Sequence, residues 1–166
     1  MKILIVCSSN ICRSPYCEYM LNRMRERDEG LKSKITWIQS GAVFHQCKRL
    51  HPKARAALKA QGFSDGELDM HRPAYVRRFP ARFEEADVIV GMTKWHRAFI
   101  PRKLRYKYIN LSEFAGHEYK AVPDPFLEKT QEGYDKVMRI IDKYLEEGAR
   151  RIKSGEFAPP SRDKKA

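Results

Sequence analysis

The 166-residue chain contains no apolar run close to the roughly 18 residues that a membrane-spanning helix requires. Its longest apolar run near the start, residues 3–7, is also too short for the core of a signal peptide. Cysteine is scarce: the four are Cys7, Cys12, Cys17 and Cys47. Without a recognisable export signal, four cysteines favour free thiols over a disulfide framework. We therefore expect a soluble, cytoplasmic protein with no membrane span.

Acidic residues are also few, 21 against 33 basic ones, and the formal net charge is +12. Residues 72–107 carry a net charge of +7 and residues 150–166 a net charge of +4. Neither stretch has the zinc-finger spacing, the basic helix with heptads or the aromatic signature of known nucleic-acid-binding domains. Charge alone therefore does not indicate nucleic acid as the partner, although a polyanion-binding surface stays an alternative.

The order of the predicted elements indicates an α/β fold in one domain. The length suits a single domain, and 42% hydrophobic residues suffice for a packed core. Apolar β-branched runs predict strands at 2–6, 35–38, 87–92 and 106–111. Helical spacing and prolines predict helices at 14–30, 52–62 and 131–152, a short helical turn at 79–85, and loops at 63–74 and 112–128. Strands that alternate with helices form parallel sheets, whose ligands bind at the carboxyl ends of the strands.

The loop after the first strand carries a pattern suited to an anion and a nucleophile. Cys7 is followed by five residues, then Arg13 and Ser14, and Pro15 opens the next helix. Backbone N–H groups in such a loop, together with a helix N-terminus, can form a concave anion site. Arg13 can contact two phosphate oxygens at once. Cys7 would lie beneath the anion as a nucleophilic thiolate, to which Ser14 could donate a hydrogen bond.

Transfer of a phosphoryl group from an ester also needs an acid to protonate the leaving oxygen. Asp124 lies between Pro123 and Pro125, just before the last predicted helix. The two prolines restrict the backbone on both sides, so this carboxylate would be held rigidly. By itself the tripeptide is also typical of an ordinary turn. Beside a Cys-x5-Arg loop it becomes a candidate general acid.

These features resemble the low-molecular-weight protein tyrosine phosphatases. The resemblance covers residues 1–153 and rests on the loop at 6–15 and on Asp124 and Pro125. Residues 40–42, 70–72 and 86–92 support it. It implies a three-layer, doubly wound α/β domain with a four-stranded parallel sheet flanked by helices and a phosphate-binding loop after strand 1. Residues 154–166 are then expected to be a basic, flexible tail.

The resemblance further implies hydrolysis of protein phosphotyrosine through a phosphocysteine intermediate, with no cofactor and no metal. Cys7 would be the nucleophile, Arg13 would bind the phosphoryl group, and Asp124 would act as general acid and then as general base. The substrate-binding residues would be Ser8, Ser9, Asn10, Ile11, Cys12, Ser14 and Phe126. A polar network would comprise Asn10, Ser14, Ser40 and His71. Cys12 would have a redox role, since a disulfide with Cys7 would prevent irreversible oxidation.

The partners implied are a phosphotyrosine-containing protein as substrate and phosphate or vanadate as inhibitory anions, acting on a monomer or weak dimer. Several cleft positions depart from the family pattern: Gln46 replaces an aromatic residue, Thr93 an acidic one, and Leu127 follows Phe126. Substrate preference is therefore less clear than the chemistry, with Phe126 and Phe44 as candidate cleft walls.

Three alternatives remain at this point. A protein-arginine phosphatase on the same fold typically has Thr where this chain has Ile11, so Ile11 favours phosphotyrosine. A non-catalytic module that binds phosphopeptides or polyanions would need neither Cys7 nor Asp124. An arsenate reductase is disfavoured because residues 72–128 contain no further cysteine.

Overall fold

A parallel sheet of four short strands organises the chain in the computed structural model, which describes residues 1–162. The strands are β1 (Lys2–Cys7), β2 (Trp37–Ala42), β3 (Val88–Gly91) and β4 (Tyr108–Asn110), in the order β2-β1-β3-β4. Both faces of the central β1 are covered, so its residues form a continuous apolar run and do not alternate with polar ones. The predicted four-stranded parallel sheet is confirmed.

Helices cover the two faces of this sheet. They are α1 (Arg13–Glu26), α2 (Glu29–Lys34), α3 (Pro52–Ala60), α4 (Asp65–Asp69), α5 (Pro80–Glu85), α6 (Lys94–Ala98), α7 (Leu111–Phe114) and α8 (Gln131–Ser154). Ile3 and Ile5 face the larger core, which includes residues of α1, α3 and α8. Leu4 and Val6 face the smaller core on the other side, around Phe83 of α5. The three-layer architecture therefore follows from the alternation of side chains along β1.

The first predicted helix and the second predicted strand both end elsewhere than expected. The helix at 14–30 ends at Glu26, and Asp28 then caps a second helix by accepting a hydrogen bond from the Leu31 N–H at 3.1 Å. Gly30, expected to stop the first helix, lies inside α2. The strand predicted at 35–38 runs from Trp37 to Ala42, because its register with β1 continues to the end of that strand.

Short helices occupy several segments that were predicted as loops. α4 lies within residues 63–74 and begins with a capping box formed by Ser64 and Glu67. The strand predicted at 106–111 is reduced to 108–110, because Asn110 caps α7. Helices of four or five residues are too short to show an apolar periodicity, which is why the sequence pattern missed them.

The last helix was predicted to span 131–152 and extends to Ser154, where Gly155 ends it with φ +84°. Beyond it the Phe157 ring packs on Phe114 with centroids 5.1 Å apart. Residues 163–166 of the predicted tail lie outside the described residues, so the tail's flexibility and the domain boundary at residue 153 stay predictions. None of the helices within residues 1–162 is long and apolar enough to cross a membrane.

Candidate active site

The loop at residues 8–12 connects the carboxyl end of β1 to the first turn of α1. Cys7 lies at the end of β1 and is 3% exposed. Its Sγ accepts a hydrogen bond from the Asn10 N–H at 3.3 Å and lies 3.0 Å from Ser14 Oγ. Asn10 has φ +55°, a left-handed conformation that Asn tolerates better than most residues, and this turns the chain back over the sulfur. The N-terminal end of α1 therefore faces the cysteine.

The Asn10 side chain holds this loop to three other segments. Its Oδ1 accepts a hydrogen bond from the Ala74 N–H at 2.9 Å, which fixes the orientation of the amide. Its Nδ2 donates to Ser14 Oγ at 3.0 Å and to Ser40 Oγ at 2.6 Å. His71 Nε2 lies 3.0 Å from the Asn10 carbonyl oxygen. The structure thus brings together all four members of the predicted polar network.

The directions of these hydrogen bonds indicate which group receives the Ser14 hydroxyl proton. Ser14 Oγ accepts from Asn10, so its own O–H is available to donate to Cys7 Sγ. The sulfur then receives two hydrogen bonds, which are contacts that stabilise negative charge on it.

The network continues on the side away from Cys7 to a residue that the sequence analysis missed. Ser40 Oγ donates a short hydrogen bond to Glu18 Oε2. Burial raises the pKa of Glu18, although the Ser40 hydrogen bond and Arg82 oppose that shift. Glu18 lies on α1 four residues after Ser14. This spacing, one helical turn, is the signal that could have identified it.

Arg13 and Asp124 meet although 111 positions separate them in the sequence. Arg13 is 4% exposed, and its Nη2 forms an ion pair with Asp124 Oδ2 at 3.0 Å. Its Nη1 donates to the Val122 carbonyl oxygen at 3.2 Å. Within residues 1–162 the buried Arg13 Nε has no hydrogen-bond partner. The guanidinium therefore has one buried donor, Nε, that the described residues leave without a partner.

A cavity of about 670 Å³ opens above the loop. Eight predicted site residues line it: Cys7, Ser8, Ser9, Ile11, Cys12, Arg13, Asp124 and Phe126. Asn10 and Ser14 were also predicted to bind substrate, but neither lines the cavity, and both are fully buried in the network beneath it. Their contribution to the site is to hold the loop.

Aromatic rings form two walls of this cavity. Phe126 is 60% exposed and its ring lies 5.5 Å from that of His51. Phe44, which also lines the cavity, packs edge-to-face on Trp95 with ring centroids 5.2 Å apart and on Phe99 with centroids 4.9 Å apart. Phe126 and Phe44 were the predicted walls. Trp95 was missed because α6, which carries it, was not predicted.

His96 is a second residue of α6 that the sequence analysis missed. The Met92 N–H donates to His96 Nδ1 at 3.3 Å, so the ring proton of the neutral imidazole lies on Nε2. His96 Nε2 therefore donates to Ser8 Oγ at 3.1 Å. Burial, with a smaller contribution from Arg13, lowers the pKa of His96 to about 3 and keeps the ring neutral. Its position just after a parallel strand was the available signal.

The other three cysteines, Cys12, Cys17 and Cys47, are free thiols like Cys7. Cys12 lines the cavity together with Cys7, and burial raises the pKa of Cys12 to about 12. Cys17 is fully buried, and burial raises its pKa well above the ordinary value. Cys47 also lines the cavity and is partly exposed. The redox role of Cys12 stays a prediction.

The part of the chain that the structure describes contains no group of three or more His, Cys, Asp or Glu side chains that could hold a metal ion.

Comparison with known proteins identifies the relatives of this chain. The family model of the low molecular weight phosphotyrosine protein phosphatases matches residues 2–156. The low molecular weight protein-tyrosine-phosphatase Etp of Escherichia coli K12 is 29% identical over 154 residues, which cover 91% of this chain and 94% of Etp. A protein-arginine-phosphatase of Bacillus subtilis is 26% identical over 160 residues, covering 90% of this chain and all of that protein.

Solved structures agree with this result. The crystal structure of a YwlE mutant from Bacillus subtilis superposes with a TM-score of 0.79 at 26% sequence identity. The match covers 92% of this chain and 99% of the YwlE chain.

Proposed function

Because the chain belongs to the low molecular weight phosphotyrosine protein phosphatase family, we propose that it hydrolyses phosphotyrosine in proteins with Cys7, Arg13 and Asp124 as its catalytic residues. The observation that carries these assignments is the meeting of the three side chains in one cavity above a helix N-terminus. Such a site combines a nucleophile, an anion site and a proton donor, which are the components that transfer of a phosphoryl group needs.

In the first step the Cys7 thiolate attacks phosphorus, and the bond between phosphorus and the phenolic oxygen breaks. With substrate bound, Arg13 contacts the phosphoryl oxygens in place of its ion pair with Asp124. Asp124 in its protonated form then gives its proton to the departing oxygen, so that tyrosine leaves as a neutral phenol. Arg13 and the backbone N–H groups of the loop hold the phosphoryl oxygens as negative charge redistributes. The product of this step is a phosphocysteine at Cys7.

In the second step water attacks the phosphocysteine. Asp124, now a carboxylate, accepts a proton from that water, and the sulfur–phosphorus bond breaks. Inorganic phosphate and the Cys7 thiolate result. The hydrogen bonds that Asn10 and Ser14 provide to Sγ support the thiolate as leaving group.

The aromatic walls favour an aryl phosphate over a short aliphatic one. Phe126, Phe44 and Trp95 all line the cavity and could contact a phenyl ring bound there, and aromatic pairs contribute roughly 0.5–1.5 kcal/mol beyond area burial. The similarity to a protein-arginine-phosphatase makes phosphoarginine the second candidate substrate. Ile11 lines the cavity and is the residue at which the two activities are expected to differ.

An assay with para-nitrophenyl phosphate and with phosphotyrosine and phosphoarginine peptides tests the proposal. Cys7→Ser is expected to abolish hydrolysis. Asp124→Ala is expected to slow hydrolysis of phosphotyrosine more than that of para-nitrophenyl phosphate, because the tyrosine phenolate is the poorer leaving group of these two. Undiminished activity of Cys7→Ser contradicts the mechanism. Faster hydrolysis of phosphoarginine than of phosphotyrosine contradicts the substrate assignment, and Ile11→Thr then tests whether that residue sets the preference.

Three finer proposals accompany this function. Phosphate and vanadate are expected to inhibit competitively, because both would occupy the anion site beside Arg13. We also expect the enzyme to act in the cytoplasm as a monomer or weak dimer. Inhibition assays, fractionation and sedimentation measure these properties.

A further inference from the structure

A second cavity of about 470 Å³ adjoins the one that contains Cys7. Phe44 lines both cavities, so its ring forms part of the wall between them. The second cavity is mostly apolar, with Val43, Phe44, Tyr75, Val76, Phe99 and Ile100 among its lining residues. It is a groove next to the site and takes no part in the proposed chemistry.

Arginines border this groove. Arg77, Arg102 and Arg105 line it together with the apolar residues. No carboxylate within residues 1–162 lies within ion-pair distance of Arg77 or Arg102. Arg105 differs, because its Nε and Nη2 donate to the carbonyl oxygens of Ile100 and Ala98. Two exposed cations therefore stand at the edge of an apolar groove.

The basic surface continues past the groove. Arg102 and Arg105 also line a third cavity, with Arg97, Lys103, Tyr106 and Arg162. Of these, Lys103 has an ion pair, with Glu84 at 2.7 Å. Much of the positive charge of residues 72–107 is thus collected on one side of the catalytic cavity.

We propose that this groove, lined by Phe44, Phe99, Arg77 and Arg102, binds the segment of the substrate protein that flanks the phosphorylated residue. The segment has an apolar side chain that enters the groove and acidic side chains that meet Arg77 and Arg102. This inference rests on the proposed function, and it specifies which phosphoproteins that function selects.

The dimensions fit an extended peptide. An extended chain advances about 3.3 Å per residue, so a side chain two or three positions from the phosphorylated residue lies about 7–10 Å away. Because Phe44 lines both cavities, we expect the groove to be within that reach. Alternate side chains of an extended peptide point in the same direction. One side chain can therefore enter the apolar groove while others contact the arginines at its edge.

The arginines favour acidic residues in the peptide segment that flanks the phosphorylated residue. Carboxylates match the planar guanidinium of arginine, and unpaired arginines can form these contacts without first breaking an internal ion pair. An apolar floor favours a peptide side chain over the sugar–phosphate backbone of a nucleic acid, which would leave those apolar residues without contacts.

The test compares two phosphotyrosine peptides and a small aryl phosphate. The first peptide has a leucine and glutamates two to four residues from the phosphotyrosine, and the second has a serine and lysines at the same positions. Each peptide is made in two versions, with these residues either before or after the phosphotyrosine. Wild type is expected to show a kcat/KM about tenfold higher for the first peptide. The variant Arg77→Gln/Arg102→Gln is expected to lose this preference while para-nitrophenyl phosphate is hydrolysed within twofold of the wild-type rate.

A matched control removes two charges elsewhere. Arg27 and Arg139 are exposed and outside the ion pairs of residues 1–162, and Arg27 lies at the end of α1 opposite the cavity. Arg27→Gln/Arg139→Gln is expected to keep the peptide preference. Equal kcat/KM values for the two peptides in wild type, or equal losses in the two double variants, overturn the inference. Inhibition by an RNA oligonucleotide well below the peptide KM, relieved by Arg77→Gln/Arg102→Gln, also overturns it in favour of nucleic acid.

The failures of the two proposals can be told apart. If wild type does not hydrolyse para-nitrophenyl phosphate, the proposed function fails. If it hydrolyses that substrate but does not distinguish the peptides, the function stands and the inference about the groove is wrong.

Discussion

The Ser8 hydroxyl lies between a buried histidine and the catalytic cavity. His96 Nε2 donates to Ser8 Oγ, so the Ser8 proton is not used in that hydrogen bond. Ser8 lines the cavity, and its O–H is therefore free to donate to an anion there. His96 is a positioning residue in this arrangement, because it acts on the anion only through Ser8.

Removal of this donor should weaken the binding of phosphate. We expect Ser8→Ala to raise the inhibition constant of inorganic phosphate about tenfold, the lower end of what a hydrogen bond to a charged group contributes. His96→Phe should also raise it in the wild-type background. The same change in a Ser8→Ala background should add nothing further. Independent effects of the two changes contradict the positioning role.

The low pKa of His96 also makes a prediction for stability. The ordinary histidine pKa of about 6.5 applies to the unfolded chain, whereas the folded value is about 3. Between these values the unfolded state binds more protons, so stability falls as pH decreases from 6.5 towards 3. One such group contributes up to about 1.4 kcal/mol per pH unit.

Urea unfolding at pH 7, 5.5 and 4.5 measures this dependence. His96→Gln is expected to be less stable at pH 7 but to lose less stability on acidification than wild type. An identical pH slope in the two proteins contradicts the assignment of a buried neutral imidazole.

At the level of elements, α8 contains two glycines with close neighbours that differ in how easily they can move. A Cβ added at Gly148 would overlap the Phe114 ring of α7, which is fully buried and has little room to move. A Cβ added at Gly133 would meet the carboxylate end of Glu128, a flexible side chain that can turn away. The same substitution should therefore have opposite effects at the two positions.

Alanine at each position tests this directly. Gly148→Ala is expected to lower the free energy of unfolding by about 1–3 kcal/mol, because overpacking outweighs the gain in helix propensity. Gly133→Ala is expected to raise it by about 0.5–1 kcal/mol, since alanine favours the helix. Thermal or urea unfolding of both variants gives the comparison, and a stabilised Gly148→Ala contradicts the packing.

At the scale of the whole molecule, the net charge of +12 creates a field that attracts anionic substrates. The charge is uneven, because residues 72–107 hold a net +7 and supply Arg77, Arg102 and their neighbours. Screening shortens such a field from about 30 Å at 0.01 M salt to about 10 Å at 0.1 M.

Salt should therefore reduce activity most for the most acidic substrates. Between 0.01 and 0.2 M NaCl we expect kcat/KM for a glutamate-rich phosphopeptide to fall several-fold, with a smaller decrease for a neutral-flanked peptide. The change should lie in KM and not in kcat, because steering affects capture. Equal decreases for both peptides contradict a role for the field.

The loop from Cys7 to Ser14 was predictable because its sequence pattern is local. A strand, a turn and a Pro-opened helix occur consecutively, and the spacing of Cys7 and Arg13 indicates that both could contact one anion. The long amphipathic α8 was predictable because many residues contribute to its periodicity. The short helices and the ends of β2 were not predictable, because side-chain capping sets the bounds of the helices and the register with β1 sets the bounds of the strand.

The sequence by itself determined the fold class and the Cys7–Ser14 loop between strand and helix, because each depends on residues close together in the chain. It also indicated Cys7, Arg13 and Asp124 as the proposed nucleophile, phosphate-binding arginine and acid. Only the tertiary structure decided what surrounds them. In that structure His96 forms a hydrogen bond with Ser8, Trp95 packs on Phe44, and the arginine-lined groove lies beside the cavity. Those contacts join segments far apart in sequence, and sheet order and helix packing bring them together, which no local pattern encodes.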